Sequence, residues 1–276
     1  MAPLAARWIA GGGARVVYGV FLTALYLAVT LIARRSPALR PFWELSFAFS
    51  IFALVQVLNN AIPGYVGRHI LHTPPQAGNP LASTVWGTVV IQLLETVIAI
   101  LPVIGFTLLS GRDLGAIYAR VGRRGGWLIF ALVFFVGFYV YLATLTLRPD
   151  SPARRLLPTN GSLSLAHLLA LTPALLVVAL SNGFEEEVLF RGLFLQKYQA
   201  LFGFGVANVL QAAVFAVAHI GISYTPTALF FIIVLVFPLG LVAGYLMRAT
   251  NGVVVPAIFH AALDLAIYLA FLSYVA

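Results

Sequence analysis

The stretch LAHLLALTPALLVVALSNGFEEEVLFRG (residues 165–192) joins a long apolar run to three consecutive glutamates, Glu185, Glu186 and Glu187. A helix needs about 20 mainly apolar residues to cross the hydrocarbon core of a bilayer, and residues 165–183 come close to that length. The 276-residue chain has only eight Asp and Glu residues in total. Three of them in a row, directly after a run of spanning length, indicate a polar site in a membrane protein.

The composition of the whole chain supports the same class. Apolar residues make up 62% of the chain and charged residues 9%, whereas a soluble domain carries about 25% charged residues. Runs of spanning length recur along the chain, and a helix is suited to lipid because it satisfies its own backbone hydrogen bonds. We therefore predict an all-α polytopic membrane protein, a bundle of about eight transmembrane helices.

The predicted spans are separated by segments rich in Pro, Gly and Arg. They lie near residues 16–33, 43–61, 82–110, 127–147, 165–183, 204–220, 228–247 and 253–274. Residues 184–200 are expected to continue the fifth span as helix. No internal repeat or soluble domain is evident, so residues 1–276 are predicted to form a single membrane domain, of which residues 180–268 carry the functional motifs.

Cysteine content and charge exclude some kinds of site and partner. The chain has no cysteine, which excludes disulfides, a cysteine nucleophile and thiolate metal ligands. The net charge of +8 comes from arginines that mostly flank the apolar runs, where they anchor helices. A nucleic-acid partner is therefore not expected.

Ionisable residues within the predicted spans form a short set. An acid at mid-membrane costs about 2.5–3.5 kcal/mol, so such residues face the bundle interior and usually mark function. The set comprises Glu95, Glu185, Glu186, Glu187, Arg191, His219, His260 and Asp264. Glu95 stands alone in the third span and belongs to no motif, although it could contribute to a site.

The first polar face follows the fifth predicted span. Glu187 and Arg191 are four residues apart, so they are expected to pair on one side of a helix. Glu186 lies about 100° around the helix from Glu187, and Phe190 stands where a basic partner would be needed. Glu186 is therefore the candidate functional carboxylate, whereas Glu185 is expected at the membrane interface.

Two later spans carry the other polar faces. His219 lies four residues after Phe215 on the sixth span, and His260 and Asp264 are four residues apart on the eighth. Phe215 is interpreted as a packing residue. If these faces converge with that of Glu186, one carboxylate, two imidazoles and a second carboxylate surround a wet cavity.

This set of side chains suits the activation of water. A glutamate can act as a general base, and two histidines can hold a water, stabilise an oxyanion or bind zinc. Asp264 can orient a histidine or complete a metal site. The chemistry indicated is hydrolysis of an acyl bond, with a peptide bond as the leading candidate.

Several other patterns are absent from the sequence. It contains no HExxH motif of helical zinc proteases, no GxSxG nucleophile elbow and no GxGD. A phosphate-binding loop and a dinucleotide fingerprint are missing too. The alternative to an enzyme is a transporter, or a proteolytically inert membrane scaffold with a buried site like a proton relay. Transporters commonly show repeated halves, and no such symmetry is seen.

The ordered motifs resemble those of a known family, the CPBP intramembrane proteases. The matching motifs are Glu186-Glu187-x-x-x-Arg191, Phe215-x-x-x-His219 and His260-x-x-x-Asp264. That family, also called Abi, includes the CAAX prenyl endopeptidases and bacteriocin-processing proteins. The resemblance implies an intramembrane endopeptidase with an eight-helix core.

The resemblance also implies a role for each motif residue. Glu186 would be the base that activates water, and Glu187 with Arg191 would order the motif helix. His219 and His260 would position the water or stabilise the tetrahedral intermediate.

The cofactor is left open by the resemblance. The protein would need either none or a zinc ion, for which His219, His260 and Asp264 are the candidate ligands of a metalloprotease. Many family members carry Asn where this chain has Asp264, and an ionised aspartate cannot donate a hydrogen bond to an oxyanion. Asp264 is expected to orient His260 or, failing that, to ligate a metal or to stay protonated and donate.

Partners and location follow from the same interpretation. The expected substrate is a membrane-associated protein or peptide, prenylated or not, and the surrounding partner is the lipid bilayer. The oligomeric state is not indicated. The abundance of Ala, Gly and Arg with a single Lys favours an integral, multi-pass protein of a prokaryotic cell membrane.

Overall fold

The computed structural model describes residues 12–72, 80–122, 125–148, 163–219 and 226–276, and these residues contain no β-strand. The α-helices are, in chain order, α1 (Gly12–Arg35), α2 (Trp43–Tyr65), α3 (Val85–Leu109), α4 (Gly125–Leu147), α5 (Leu165–Glu186), α6 (Gln196–His219), α7 (Pro226–Phe231), α8 (Phe237–Thr250) and α9 (Val254–Val275). Short 3-10 turns occur at Arg40–Phe42, Pro80–Ser83 and Leu114–Ile117, and π-helical turns at Val66–Ile70, Glu187–Leu195 and Ile232–Val236.

Seven stretches among the described residues are long and apolar enough to cross a membrane. One of them runs without a break from Leu165 to His219, which is 55 residues. At about 1.5 Å per residue this stretch would reach far beyond a bilayer core of about 30 Å if it were straight. It bends at Gly203, whose φ of 72° and ψ of 167° are not helical. The seven stretches, one of them long and bent, confirm the predicted all-α architecture of about eight helices.

The segment that follows residue 183 continues as helix, as predicted for residues 184–200. The nine residues Glu187–Leu195, here called the π segment, form a π-helical stretch in which every side chain is buried. Its aromatic rings pack with those of neighbouring helices: Phe190 lies 5.8 Å from Phe52 and 5.1 Å from Phe215 between ring centroids. π-Helical turns occur often at functional sites.

Local signals in the sequence set several helix ends. Thr84 accepts a hydrogen bond from the backbone N–H of Gly87 at 3.0 Å and so begins α3. Ser164 caps α5 in the same way, through the N–H of His167 at 3.1 Å. Asn251 takes the left-handed conformation, with a φ of 53°, and ends α8.

Helix packing places α5 at the centre of the site. α5 contacts α9 and α3, α9 also contacts α4, and α6 packs on the π segment and on α8. The α5–α9 contact depends on Gly183: a Cβ there would lie 2.7 Å from the backbone oxygen of Ala257 and 3.1 Å from the Cβ of Ala261. Small residues allow membrane helices to approach in this way.

We expect Gly183→Ala to destabilise the protein, because the added methyl group must push α5 away from α9. Overpacking of this kind costs about 1–3 kcal/mol, which should lower the melting temperature in detergent. The control is Gly137→Ala on α4, where a Cβ would meet no atom within 4 Å. Equal melting temperatures for the two variants would contradict the close α5–α9 contact.

Candidate active site

Three helices bring the predicted polar side chains to one place. Glu186 ends α5, His219 ends α6, and His260 and Asp264 lie on α9. Glu186 Oε2 lies 3.5 Å from Nε2 of His260 and 3.8 Å from Nε2 of His219. Asp264 Oδ1 lies 3.6 Å from His260 Nε2. The structure thus brings together the carboxylate, the two imidazoles and the second carboxylate, the arrangement that would follow if the three polar faces converged.

Glu186 presents an unshared oxygen to both histidines. Within the described part of the chain its Oε2 makes no hydrogen bond, although the side chain is 19% exposed. The distances to the two Nε2 atoms exceed those of good direct hydrogen bonds and leave no room for a water between the atoms. A water in the cavity that Glu186 and His219 line can lie beside them, and the Glu186 carboxylate can accept a proton from it.

His260 is oriented by Glu187 from the neighbouring helix. Its Nδ1 lies 2.9 Å from Glu187 Oε1, and since a carboxylate only accepts, this nitrogen carries the hydrogen. Nε2 is therefore the atom turned toward Glu186. The same Oε1 lies 3.0 Å from Nη1 of Arg191 in the ion pair that the spacing predicted, and the guanidinium stands 4.2 Å from the ring centroid of Phe215. Glu187, Arg191 and His260 are all buried.

His219 is oriented by its own helix. Its Nδ1 lies 2.8 Å from the backbone oxygen of Phe215, which can only accept, so Nδ1 is the donor and Nε2 faces Glu186. The Phe215 ring meets the rings of His219 and His260 edge-on, at centroid distances of 4.6 and 5.6 Å. Phe215 therefore packs between the two histidines, in agreement with its predicted role.

Asp264 makes its hydrogen bond to a residue that sequence reasoning did not select. Asn182 Nδ2 donates to Asp264 Oδ2 at 3.0 Å. The hydrogen bond by which Asp264 was expected to orient His260 is not present. Asp264 Oδ1 lies 3.6 Å from His260 Nε2, and Glu187 instead accepts the hydrogen bond from Nδ1. Orientation of His260 thus falls to Glu187.

Glu185, which was expected at the membrane interface, is buried among the helices and takes part in a polar network. Its side chain is buried and accepts hydrogen bonds from Gln92 Nε2 at 3.1 Å and Thr96 Oγ1 at 3.0 Å, both on α3. Tyr268 of α9 donates in turn to Gln92 Oε1 at 2.9 Å. A polar network of α3, α5 and α9 thus holds the first glutamate, and burial is tolerated because its acceptors are used.

A cavity of about 480 Å³ connects these groups. Its wall includes Glu186, His219 and Asp264, together with Gln56, Asn59, Glu95, Asn182, Glu185 and Tyr268. A second, apolar cavity of about 270 Å³ shares Phe52 and Ala218 with the first and is lined by residues of α1, α2 and α6. Glu95 belongs to the wall of the polar cavity.

The site contains side chains of the types that bind zinc. Imidazole and carboxylate are suitable ligands for zinc, but among the described residues no group of three or more His, Asp or Glu side chains is arranged to hold one ion. The donor types fit a zinc site and their positions do not. The chemistry proposed below is accordingly carried by the side chains alone.

Asn182, Tyr268 and Gln92, which were not selected from the sequence, share one feature: each lies four residues from another polar residue of the site. Asn182 lies four residues before Glu186, Tyr268 lies four after Asp264, and Gln92 lies four before Thr96. Each therefore extends a polar face along a helix. Spacing alone places them on the correct side, but not opposite a particular partner.

Comparison with known proteins matches part of the chain. Residues 168–266, about a third of the chain, match the family model described as Type II CAAX prenyl endopeptidase Rce1-like. The match contains all the predicted site residues and confirms the resemblance to CAAX proteases over that segment; it supports an intramembrane protease in general. No curated protein and no solved structure gave a significant match.

We expect Arg191→Leu to be severely destabilising, because it leaves the buried Glu187 carboxylate without its cation. Breaking a buried ion pair from one side costs about 3–5 kcal/mol, which should lower the yield of folded protein and its melting temperature. The control is Arg112→Leu, whose pair with Glu44 is partly exposed and worth about 0–1 kcal/mol.

The double variant Glu187→Gln/Arg191→Leu should recover part of the loss, since it removes both charges. Similar stability of Arg191→Leu and Arg112→Leu would show that the buried pair is not what holds the π segment.

Proposed function

We propose that this chain is an intramembrane endopeptidase that hydrolyses a peptide bond of a membrane-associated protein or peptide. The observation that carries the proposal is the single Glu186 oxygen that faces the Nε2 atoms of His219 and His260 at 3.8 and 3.5 Å. A multi-pass membrane protein that holds a free carboxylate oxygen beside two imidazoles has the groups that general-base hydrolysis requires. The family match at residues 168–266 supports the same reaction class.

In the proposed mechanism, Glu186 takes a proton from a water in the cavity beside it. The resulting hydroxide attacks the carbonyl carbon of the scissile peptide bond and forms a tetrahedral intermediate. When the C–N bond breaks, protonated Glu186 gives its proton to the leaving amine, so that a carboxylic acid and an amine are released and the Glu186 carboxylate is regenerated.

The two histidines would have different parts in this reaction. His260 has a carboxylate on its Nδ1, and such a partner stabilises positive charge on the ring. It is therefore the better donor to the oxyanion. His219 has only a backbone carbonyl on Nδ1, so its neutral Nε2 can accept a hydrogen bond from the attacking water.

The proposed substrate is of the CAAX type, with a prenyl or other apolar chain near the cleaved bond. The family match supports this class. The apolar cavity that adjoins the catalytic one could take such a chain, because the two share Phe52 and Ala218 as a common wall. The composition supports a prokaryotic cell membrane as the location.

A transporter or an inert scaffold explains fewer of these features. Both would tolerate buried acids and histidines, but neither requires an unshared carboxylate oxygen opposite two oriented Nε2 atoms. The family match also favours a protease over these alternatives.

We expect Glu186→Gln to abolish cleavage while the fold is retained, because the amide is nearly isosteric but cannot accept the proton. Loss of a general base costs about 10²- to 10⁴-fold in rate. The assay uses the purified protein in detergent with an internally quenched, farnesylated CAAX peptide. Glu44→Gln is the matched control, since Glu44 contacts Arg112 and Lys197 outside the cavity. Full activity of Glu186→Gln would overturn the catalytic assignment.

Chelation is expected to leave activity unchanged, because the donor positions do not fit one ion. Elemental analysis of the purified protein should then find far less than one zinc per chain. One tightly bound zinc, with activity lost on its removal, would instead make His219, His260 and Asp264 its ligands.

A further inference from the structure

Asn182 connects Asp264 to a second polar network. Its Nδ2 donates to Asp264 Oδ2 at 3.0 Å, and its Oδ1 faces Nε2 of Gln92 at 3.5 Å. Gln92 also donates to Glu185 at 3.1 Å and accepts from Tyr268 at 2.9 Å. Asn182 is thus placed between an acceptor on α9 and a donor on α3.

Both neighbours require the same orientation of the Asn182 amide. An ionised Asp264 only accepts, so the NH₂ group must face it. The Gln92 NH₂ group only donates, and the Asn182 oxygen faces that side. Gln92 in turn cannot flip without turning its NH₂ group toward the Tyr268 hydroxyl and away from Glu185.

The hydrogen bond from Asn182 also fixes the rotation of the Asp264 carboxylate. Oδ2 is held by the amide, and Oδ1 is left 3.6 Å from His260 Nε2, beside Glu186. Without that bond, the Asp264 carboxylate could rotate and turn its second oxygen into the cavity. Asp264 itself is almost fully buried, so few other donors can reach it.

We infer that Asn182 is a positioning residue of this active site: it holds the Asp264 carboxylate beside Nε2 of His260, where a negative charge favours the positively charged imidazole that donates to the oxyanion. The inference rests on the proposed function. In this role Asn182 does not contact the substrate and acts only through the orientation of the Asp264 carboxylate.

The first test is Asn182→Leu, which keeps the size of the side chain and removes both hydrogen bonds. Loss of a hydrogen bond to a charged group should lower kcat by about 10- to 100-fold, with KM changed much less, since substrate contacts are intact. Combined with Asp264→Ala, it should add little further loss, because the residue that it positions is already gone. Losses that multiply in the double variant would overturn the inference.

The matched control is Asn208→Leu. Asn208 is also a buried asparagine, but its Nδ2 donates to the backbone oxygen of Leu241 and ties α6 to α8, away from Asp264. It should lower the melting temperature, and its effect on kcat should multiply with that of Asp264→Ala. If Asn208→Leu were coupled to Asp264 as strongly as Asn182→Leu, the effect would be one of general packing and the inference would fail.

A reciprocal exchange of the two side chains, Asn182→Asp with Asp264→Asn, provides a second test that does not depend on an apolar substitution. Asn182→Asp places two carboxylates against each other and should be less active than Asn182→Leu. Adding Asp264→Asn restores one donor and one acceptor, with the direction of the bond reversed, and should recover stability. It should not recover kcat, because the carboxylate that Asn182 positions is gone, and full recovery of kcat would contradict a role through that carboxylate.

The experiments distinguish failure of the positioning role of Asn182 from failure of the proposed function. No cleavage of the farnesylated peptide by the unmodified protein, or full activity of Glu186→Gln, would overturn the proposed hydrolysis itself. Loss of activity in Glu186→Gln together with multiplicative Asn182 and Asp264 effects would overturn only the positioning role.

Discussion

The Glu187 carboxylate is the contact on which the rest of the site depends. One of its oxygens lies against both Arg191 and His260, and all three side chains are buried in an apolar bundle. A lone charge in such surroundings is very costly, so each member needs the others. This mutual requirement ties the π segment to α9 and fixes which nitrogen of His260 faces Glu186.

The positions of the other site residues depend on this contact. Glu187 immediately follows Glu186, so once Glu187 is held against α9, Glu186 is carried to the edge of the cavity with its oxygen toward the imidazoles. The ring of Phe215 lies against Arg191, His219 and His260, and so joins α6 to the same cluster. The polar networks of Asn182 and Glu185 then tie α3 to α5 and α9.

Much of the fold and part of the site could be predicted because polar and charged residues are costly in lipid and therefore rare in membrane-spanning helices. Spans of apolar residues and acids within them are conspicuous, and four-residue spacing correctly grouped Glu187 with Arg191. Spacing could not show which residue of another helix each side chain meets, since that depends on helix rotation and on close approaches such as that at Gly183. For this reason Glu185 was expected at the interface and the hydrogen bond from Asn182 to Asp264 was missed.

The bend at Gly203 has a consequence for which residues this position accepts. Its φ of 72° with ψ of 167° lies in a region essentially restricted to glycine, and no connecting loop separates α5 from the end of α6. A side chain with a Cβ would strain the backbone at this position, so the bend in the long Leu165–His219 stretch depends on a glycine that contributes no group to the chemistry.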